Sequence, residues 1–232
     1  MGNPITDTMF GLRDFGRRLL ARPDALMLEL GAGGELLVSQ MRAALAMLLP
    51  LLPLINVIGG GKLRESMIGL LGAVFAIVMS QVWLALARQR GRYRWLPWLT
   101  TTYDVSTTTL VLALLAWESP VIGLNSMVVW VFYLIAICMT ALRNDGRLTL
   151  YTGALAMLQY ALLSACIFAL VDSPDQLASI DYGTATPGNQ VQRLVLIAIV
   201  TVIAATIVYR MQKLVDMSGT DGLTGLPNRT WL

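Results

Sequence analysis

Long apolar stretches separated by short polar segments dominate the chain between residues 43 and 211. A membrane-spanning helix needs about 20 consecutive, mostly apolar residues, and six stretches approach or reach this length. We therefore predict an all-α, polytopic membrane protein with a bundle of six transmembrane helices. The predicted spans are 43–60, 67–87, 96–117, 121–142, 148–171 and 191–211.

Proline residues and polar loops indicate where these spans bend or end. Pro50 and Pro53 lack backbone N–H donors, so we expect a kink in the first span. Residues 172–190 are rich in Asp, Ser, Pro and Gly and predict a loop. Because this is the longest gap between spans, no soluble domain fits between any two of them.

Composition supports a membrane protein and argues against several kinds of chemistry. Hydrophobic residues form 56% of the 232-residue chain and charged residues only 13%, which would leave a soluble domain with too little polar surface. The chain contains no histidine, so the commonest ligand of zinc, copper and haem is missing, as is the phosphoacceptor of a histidine kinase. Cys138 and Cys166 both lie in apolar runs, where no disulfide framework is expected.

The distribution of basic residues predicts the orientation of the bundle. If the N-terminus is cytoplasmic, fourteen of the 17 Lys and Arg residues fall on inner segments, and only Lys62, Arg64 and Arg193 fall on outer loops. This asymmetry follows the positive-inside rule, and an even number of spans then places both termini in the cytoplasm. The positive charge is thereby assigned to membrane topology, and we expect no nucleic-acid partner.

Residues 1–42 precede the first span and are too polar for a cleaved signal peptide. Apolar residues recur among them at helical spacing beside a group of arginines. Two interpretations remain open: a helix lying on an anionic membrane surface, or an amphipathic helix packed on the cytoplasmic end of the bundle. The apolar positions are Met9, Leu12, Phe15, Leu19 and Leu20, and the arginines are Arg13, Arg17 and Arg18.

Asp104 is the most unusual of the polar residues inside the predicted spans. It lies about 12 Å along the third span at the helical rise, near the middle of the bilayer. An ionised carboxylate there costs several kcal/mol, and we expect no basic partner for it within the spans. Asp104 should therefore be protonated, hydrogen-bonded to a polar neighbour, or facing a hydrated or ligand-filled cavity.

Other polar side chains at comparable depth form a candidate site with Asp104. The functional interpretation is a ligand or proton site in the middle of the bundle. The alternative is polar packing, in which the same side chains hydrogen-bond between helices for about 1 kcal/mol each. The candidate ligand-binding residues are Tyr103, Asp104, Gln81, Gln159, Tyr160 and Asn56.

The helical pattern continues beyond the sixth span and then stops. Ile207, Met211 and Leu214 keep a 4-then-3 spacing, which is typical of the seam of a short parallel coiled coil. Ser218 and Gly219 end the helix, and Gly, Pro and Asn turn residues follow. Two copies of the chain could pair through this seam, so we expect a homodimer.

The stretch TDGLTGLPNR at 220–229 contains the pattern D-x-L-T-G-L-P-N-R. It resembles the opening of the GGDEF domain of bacterial diguanylate cyclases. That family joins two GTP molecules into cyclic di-GMP at the interface of two catalytic domains, with Mg²⁺ or Mn²⁺ and a Gly-Gly-Asp-Glu-Phe turn that this sequence does not contain. The matching residues are Asp221, Leu223, Thr224, Gly225, Leu226, Pro227, Asn228 and Arg229.

Two further stretches, TYDVSTTTLVLALL at 102–115 and ALRNDGRLTLYTGALAMLQY at 141–160, are similar to six-helix input regions found ahead of bacterial diguanylate and adenylate cyclases. Arg143, Asp145 and Arg147 match the Arg-x-Asp-x-Arg turn of those regions. From the residues alone, this turn is a charged cytoplasmic anchor with a local ion pair worth less than about 1 kcal/mol. The alternative is contact with the signalling helix after the sixth span.

The resemblance implies a bacterial inner-membrane input region, cut from a longer enzyme shortly after the catalytic domain begins. The fragment itself should contain no catalytic residues, and its ligand should be a lipophilic or amphipathic small molecule. Two other functions remain open: an inert dimeric membrane anchor for the cyclase, and a transporter-like bundle. The expected regions are 1–42 (cytoplasmic amphipathic segment), 43–211 (sensor bundle), 207–219 (signalling linker) and 220–232 (start of the GGDEF domain).

Overall fold

Eight α-helices contain most of the residues that the structure, a computed structural model, describes. It describes residues 16, 19–20, 25–89 and 93–218, and for residues 25–33 and 215–218 the helical backbone alone. This arrangement confirms the predicted helical bundle. The helices are α1 (Ala25–Leu48), α2 (Leu51–Ile58), α3 (Leu63–Arg88), α4 (Leu96–Glu118), α5 (Pro120–Asn125), α6 (Met127–Ala141), α7 (Gly146–Leu170) and α8 (Pro187–Ser218).

Five helical segments of the described chain are long and apolar enough to cross a membrane, as expected for a membrane protein. Helix α4, which forms the third predicted span, is not among them, because six threonines and Asp104 lower its hydropathy. The count of six spans therefore stays a prediction. The five segments are Gly34–Ile58, Leu63–Arg88, Pro120–Ala141, Gly146–Leu170 and Pro187–Leu214.

Helix α4 can carry polar residues inside the bundle because other helices surround it. It packs against α3, α5, α6 and α7, and its residues Val105 and Leu112 are completely buried. The hydroxyls of Thr102 and Thr108 donate to backbone carbonyls one turn earlier, at 2.8 and 2.9 Å. A threonine that satisfies its own hydroxyl in this way can be placed inside a bundle without a second partner.

The first candidate span begins earlier than the apolar run predicts. The helix breaks between Leu48 and Leu51, with Pro50 at the break, as the prolines indicate. The candidate span nevertheless includes Glu35 and Arg42, which interrupt the apolar pattern of the sequence without ending α1. Both charged side chains lie inside the bundle.

The predicted loop 172–190 contains a small ordered structure on the way to α8. A 3₁₀ turn at Pro174–Leu177 leads into two antiparallel strands, β1 (Ala178–Ser179) and β2 (Gly183–Thr184). The side chain of Asn125 donates to the backbone carbonyl of Tyr182 at 2.8 Å. This bond fixes the hairpin to the end of α5.

Helices α6, α7 and α8 pack closely against one another. The buried rings of Tyr133 and Tyr160 meet edge to face, with centroids 5.8 Å apart. On α7, Gly153 lies against Thr201 of α8, and a Cβ atom at Gly153 would lie 2.2 Å from the Thr201 Oγ1 atom. Glycine is therefore required for this helix contact.

The described part of the N-terminal segment packs on the bundle. Leu19 is buried in one cluster with Ala205 and Val208 of α8, and a Cβ atom at Gly146 would lie 2.4 Å from its Cδ2 atom. The Arg147 guanidinium donates to the backbone carbonyl of Leu20, with a distance of 2.6 Å from Nε. These contacts favour the second interpretation, packing on the bundle end. The other predicted positions, Met9, Leu12, Arg13, Phe15, Arg17 and Arg18, lie outside the described residues.

Candidate functional site

Asp104 forms an ion pair with Arg42 of α1. The Arg42 Nε atom donates to Oδ1 at 2.9 Å and Nη2 donates to Oδ2 at 2.6 Å, and the two side chains are only 10% and 20% exposed. The expectation that Asp104 has no basic partner is therefore wrong. Arg42 precedes the predicted first span, but α1 is continuous through it, and its side chain reaches the middle of α4. A paired carboxylate needs neither protonation nor a ligand to remain buried.

Glu35 lies two helical turns before Arg42 on α1 and holds Arg143, from the turn between α6 and α7. The Arg143 Nε atom donates to Glu35 Oε2 at 2.6 Å, and the two side chains are 3% and 9% exposed. Nη1 and Nη2 donate to the hydroxyls of Thr101 and Thr100, at 2.6 and 2.8 Å. Burial lowers the pKa of the Arg143 guanidinium and Glu35 opposes this shift, so arginine remains charged.

The close approach of α1 to this turn depends on a glycine. A Cβ atom at Gly34 would lie 2.9 Å from the backbone carbonyl oxygen of Leu142 and 3.3 Å from the Cα atom of Arg143. Helix α1 therefore packs directly on the turn. We call the residues of the two ion pairs and their threonine partners the inner charged cluster: Glu35, Arg42, Thr100, Thr101, Asp104 and Arg143.

The inner charged cluster balances two cations with two anions, as buried charges require. A sequence signal for it exists: Glu35 and Arg42 are seven residues apart and so share one face of α1, and Thr100 and Asp104 are one turn apart on α4. Both carboxylates are occupied by arginines. Within the described ranges, no three Asp, Glu or Cys side chains gather where they could hold a metal ion.

The turn that matches Arg-x-Asp-x-Arg contacts α1, α7 and α8. Arg143 is buried, and its ion pair is formed with Glu35 of α1 and not within the turn. Asp145 caps α7, its carboxylate accepting the backbone N–H of Arg147 at 3.0 Å. The carbonyl of Asn144 accepts the Gln212 side-chain amide of α8 at 3.0 Å. The turn thus contacts α8 through Asn144, which is not one of the three matched residues.

A cavity of about 890 Å³ lies beside the inner charged cluster, among α1, α2, α3, α4 and α6. This volume is within the range of about 300–1,000 Å³ that ligand pockets occupy. Gly69, Gly72 and Ala76 line it along α3, where larger side chains would fill the space. Most other lining residues are apolar, and the polar ones occur near the inner charged cluster and near the β1–β2 hairpin.

Three of the predicted binding residues, Tyr103, Asp104 and Asn56, line this cavity. The Asn56 side-chain amide donates to the Ser66 hydroxyl at 3.0 Å, which joins α2 to α3. Gln81 is exposed on α3 and does not line the cavity. The structure thus brings together half of the predicted set.

Gln159 belongs to a separate, neutral network between α4, α6 and α7. Its carbonyl oxygen accepts from the Thr109 hydroxyl at 2.6 Å, and its amide donates to the Ser106 hydroxyl at 2.9 Å. The Tyr133 hydroxyl lies 2.7 Å from the Thr109 hydroxyl. This is the helix-packing role that the alternative interpretation describes.

Tyr160 belongs to a third group near the start of α8. Its hydroxyl donates to the side-chain carbonyl of Gln190. The Arg193 guanidinium donates to the Leu124 carbonyl at 2.6 Å and lies 5.3 Å from the centre of the Trp130 ring. The predicted single site is thus divided into groups, because similar depth in the sequence does not specify which face of a helix a residue occupies.

Glu65 and Tyr182, which sequence reasoning did not select, are polar lining residues of the cavity near the β1–β2 hairpin. The Tyr182 hydroxyl donates to Glu65 Oε2 at 2.8 Å, and Lys62 Nζ lies 3.6 Å from Oε1. Burial, reinforced by the bond to Glu65, raises the pKa of Tyr182 to about 12. Tyr182 therefore stays protonated and acts as a donor at neutral pH.

Comparison with known proteins gives no relative from which a function could be transferred. No protein-family model, no curated protein and no solved structure matches the chain significantly. A function for this chain is therefore proposed from its own residues and geometry.

Proposed function

We propose that the chain is the dimeric, membrane-embedded sensor region of a bacterial diguanylate cyclase, whose catalytic domain begins at residues 220–232. The observation that carries the proposal is the match of residues 221–229 to D-x-L-T-G-L-P-N-R. This motif lies outside the described residues. The complete enzyme would convert two GTP to cyclic di-GMP with Mg²⁺ or Mn²⁺, whereas residues 1–232 alone would not.

The length of α8 supports a signalling role. Its 32 residues extend about 48 Å at 1.5 Å per residue, which exceeds the bilayer core of about 30 Å. In the proposed topology of six spans, with both termini cytoplasmic, the end of α8 emerges where GTP is present. A rigid helix would then join the bundle directly to the catalytic domain.

The predicted coiled-coil seam is available for a second copy. Ile207, Met211 and Leu214 are 45–54% exposed on α8. Pairing of two α8 helices through this seam would bring two catalytic domains together. Cyclic di-GMP synthesis requires such a pair in the family that the motif resembles.

A continuous set of contacts could transmit a change from the cavity to α8. Arg42 borders the cavity and shares α1 with Glu35, so a displacement of α1 moves both side chains. Glu35 holds Arg143, and the adjacent Asn144 accepts from Gln212 of α8. A ligand that binds one arrangement of α1 more tightly would shift the population of α8 arrangements.

The test uses the full-length enzyme in membranes, with GTP and Mg²⁺, and quantifies cyclic di-GMP by mass spectrometry. Wild type is compared with a variant in which an unrelated dimeric membrane anchor replaces residues 1–206. We expect cyclic di-GMP from both and a different rate from the exchanged variant. Without any product the cyclase assignment fails, and with equal rates the bundle is an inert anchor.

A further inference from the structure

We propose that the cavity binds an uncharged, single-chain amphiphile whose polar end carries a hydrogen-bond-accepting oxygen. This inference rests on the proposed sensor function for its role in signalling and deepens it by naming the class of ligand. Binding itself can be measured without any cyclase. The argument depends on unpaired donors, on the charge balance beside them, and on the shape of the cavity.

Two hydrogen-bond donors of the cavity lining form no hydrogen bond of normal geometry with the described residues. The Arg42 Nη1 atom is buried without a hydrogen bond, although Nε and Nη2 hold Asp104. The Tyr103 hydroxyl is also buried and forms no hydrogen bond of normal geometry, and the polar side chain that interacts with it is Thr107, one turn along α4. Buried donors are normally satisfied, so both groups favour an acceptor that a ligand supplies.

The charge expected for the polar end of the ligand follows from the Arg42–Asp104 ion pair. Arg42 is neutralised by Asp104, which takes two of its three nitrogens. A ligand carboxylate or phosphate at Nη1 would add an uncompensated negative charge in a mostly apolar cavity, which is costly. A carbonyl, ester or hydroxyl oxygen accepts from Nη1 and from Tyr103 without that cost. The ligand head should therefore be uncharged.

The shape of the cavity favours one apolar chain. From Glu65 to Ala76 the lining follows α3 for about 16 Å at the helical rise. Gly69 and Gly72 keep this path open, and Leu49 and Val111 are among the apolar side chains around it. An apolar path that runs from Glu65 to the donors of Arg42 and Tyr103 matches an apolar chain whose hydrogen-bond-accepting end lies at those donors.

The binding test uses the purified 232-residue chain in phosphatidylcholine nanodiscs and radiolabelled monoolein as the probe. Unlabelled monoolein, oleate and octadecene compete for the site, since they share a similar chain and differ in the head. We expect saturable monoolein binding, and about ten-fold weaker competition by octadecene, which cannot accept a hydrogen bond. If oleate competes better than monoolein, the uncharged head is wrong. No saturable binding above empty nanodiscs overturns the whole inference.

Variants locate the bound probe. Tyr103→Phe should weaken monoolein binding about five-fold, the effect of one hydrogen bond. Its matched control is Tyr151→Phe, since the Tyr151 hydroxyl bonds Thr102 outside the cavity lining. Arg42→Lys keeps a cation for Asp104 and removes Nη1, and should weaken binding about ten-fold. Equal affinities of Tyr103→Phe and Tyr151→Phe would place the probe elsewhere and overturn the assignment.

A second pair of variants tests the chain-binding part and does not alter the ion pair. Ala76→Leu fills the cavity and should abolish saturable binding, whereas Ala85→Leu adds the same volume on an exposed position of α3 outside the lining. Retained binding in Ala76→Leu contradicts the proposal.

The binding test and the cyclase test can fail independently. Monoolein binding combined with equal cyclase rates in the anchor exchange would support the ligand site and contradict the sensor function. No saturable monoolein binding combined with different cyclase rates would mean that the bundle senses a ligand of another class.

Discussion

The two halves of the bundle are held together by different interactions. We call α1, α2 and α3 the open half and α6, α7 and α8 the packed half, with α4 between them. In the most apolar window of each segment, 17% of the residues are buried in Gly34–Ile58 and 22% in Leu63–Arg88, against 50% in Pro120–Ala141 (α5 and α6), 28% in Gly146–Leu170 and 33% in Pro187–Leu214. The open half borders the cavity and is joined to the rest by buried ion pairs, whereas the packed half is joined by close side-chain contacts and neutral hydrogen bonds.

This difference shows where movement is cheapest. Few packed side chains resist a displacement of α1 to α3, whereas a displacement within the packed half would disrupt contacts such as Gly153 against Thr201. The two halves meet at adjacent residues of one turn: Arg143 bonds Glu35 of the open half, and Asn144 accepts from Gln212 of the packed half. The turn is therefore the place where a change in the cavity would reach α8.

Removing one member of the Glu35–Arg143 pair should have the largest effect on stability. Glu35→Ala leaves the Arg143 guanidinium buried without its carboxylate, which should lower the free energy of unfolding by about 3–5 kcal/mol. Unfolding by SDS titration in mixed micelles measures the change. Glu118→Ala is the control, because its partner Arg64 is 82% exposed and an exposed pair contributes less than about 1 kcal/mol.

The double variant Glu35→Ala with Arg143→Met should recover much of that loss, since no unpaired charge remains. Additive losses in the double variant would show that the two residues act separately. If Glu35→Ala and Glu118→Ala lower the free energy of unfolding equally, the buried pair is not the main connection between the open half and the rest of the bundle.

Glycine-to-alanine substitutions should have opposite effects on stability in the two halves, because the halves differ in packing. Gly153→Ala forces a Cβ atom against Thr201 and should cost about 1–3 kcal/mol. Gly72→Ala places its Cβ 3.1 Å from Val111 Cγ2 at the open cavity. There the neighbour can move, and the gain in helix propensity of up to about 1 kcal/mol should dominate. We expect a lower thermal midpoint for Gly153→Ala and an equal or higher one for Gly72→Ala; a shared loss would mean that both halves are tightly packed.

Hydrophobic patterning predicted the helices because apolar length is a local property of the chain. It also predicted the break at Pro50, since a missing N–H donor acts locally. It did not predict that α1 continues without a break through residues 34–42, because Glu35 and Arg42 interrupt the apolar run. Their burial depends on partners that are 108 and 62 residues away. No hydropathy window contains that information.

The candidate site was predictable only in part, for the same reason. Asp104 was recognised by the cost of burying a carboxylate, and Tyr103 by its position beside it. Gln81 and Gln159 were selected at a similar depth, yet Gln81 is exposed and Gln159 bonds Thr109 in a neutral network. Depth follows from position along the chain, whereas the face that a residue presents to the cavity depends on how the helices are rotated and packed.

The neutral network of the packed half should be worth less than the ion pairs of the open half. Gln159→Leu removes its bonds to Thr109 and Ser106 and should lower the free energy of unfolding by about 1 kcal/mol, typical of polar side chains between membrane helices. SDS titration again measures the change, with Gln81→Leu as the control on an exposed position. A loss as large as that of Glu35→Ala would remove the contrast between neutral and charged connections.

The smallest change in stability, and the most specific change in signalling, should come from the bond between the turn and α8. Gln212→Leu removes one partly buried hydrogen bond to the Asn144 carbonyl and should alter the free energy of unfolding by no more than about 1 kcal/mol. If the halves communicate through this turn, the cyclic di-GMP rate of the full-length enzyme should change nevertheless, whereas Lys213→Ala, one exposed position further, should leave it unchanged. A changed rate without a changed stability separates coupling from folding, because a variant that merely loosened the bundle would alter both. Equal rates for Gln212→Leu, Lys213→Ala and wild type would mean that the open half does not act on α8 through Asn144.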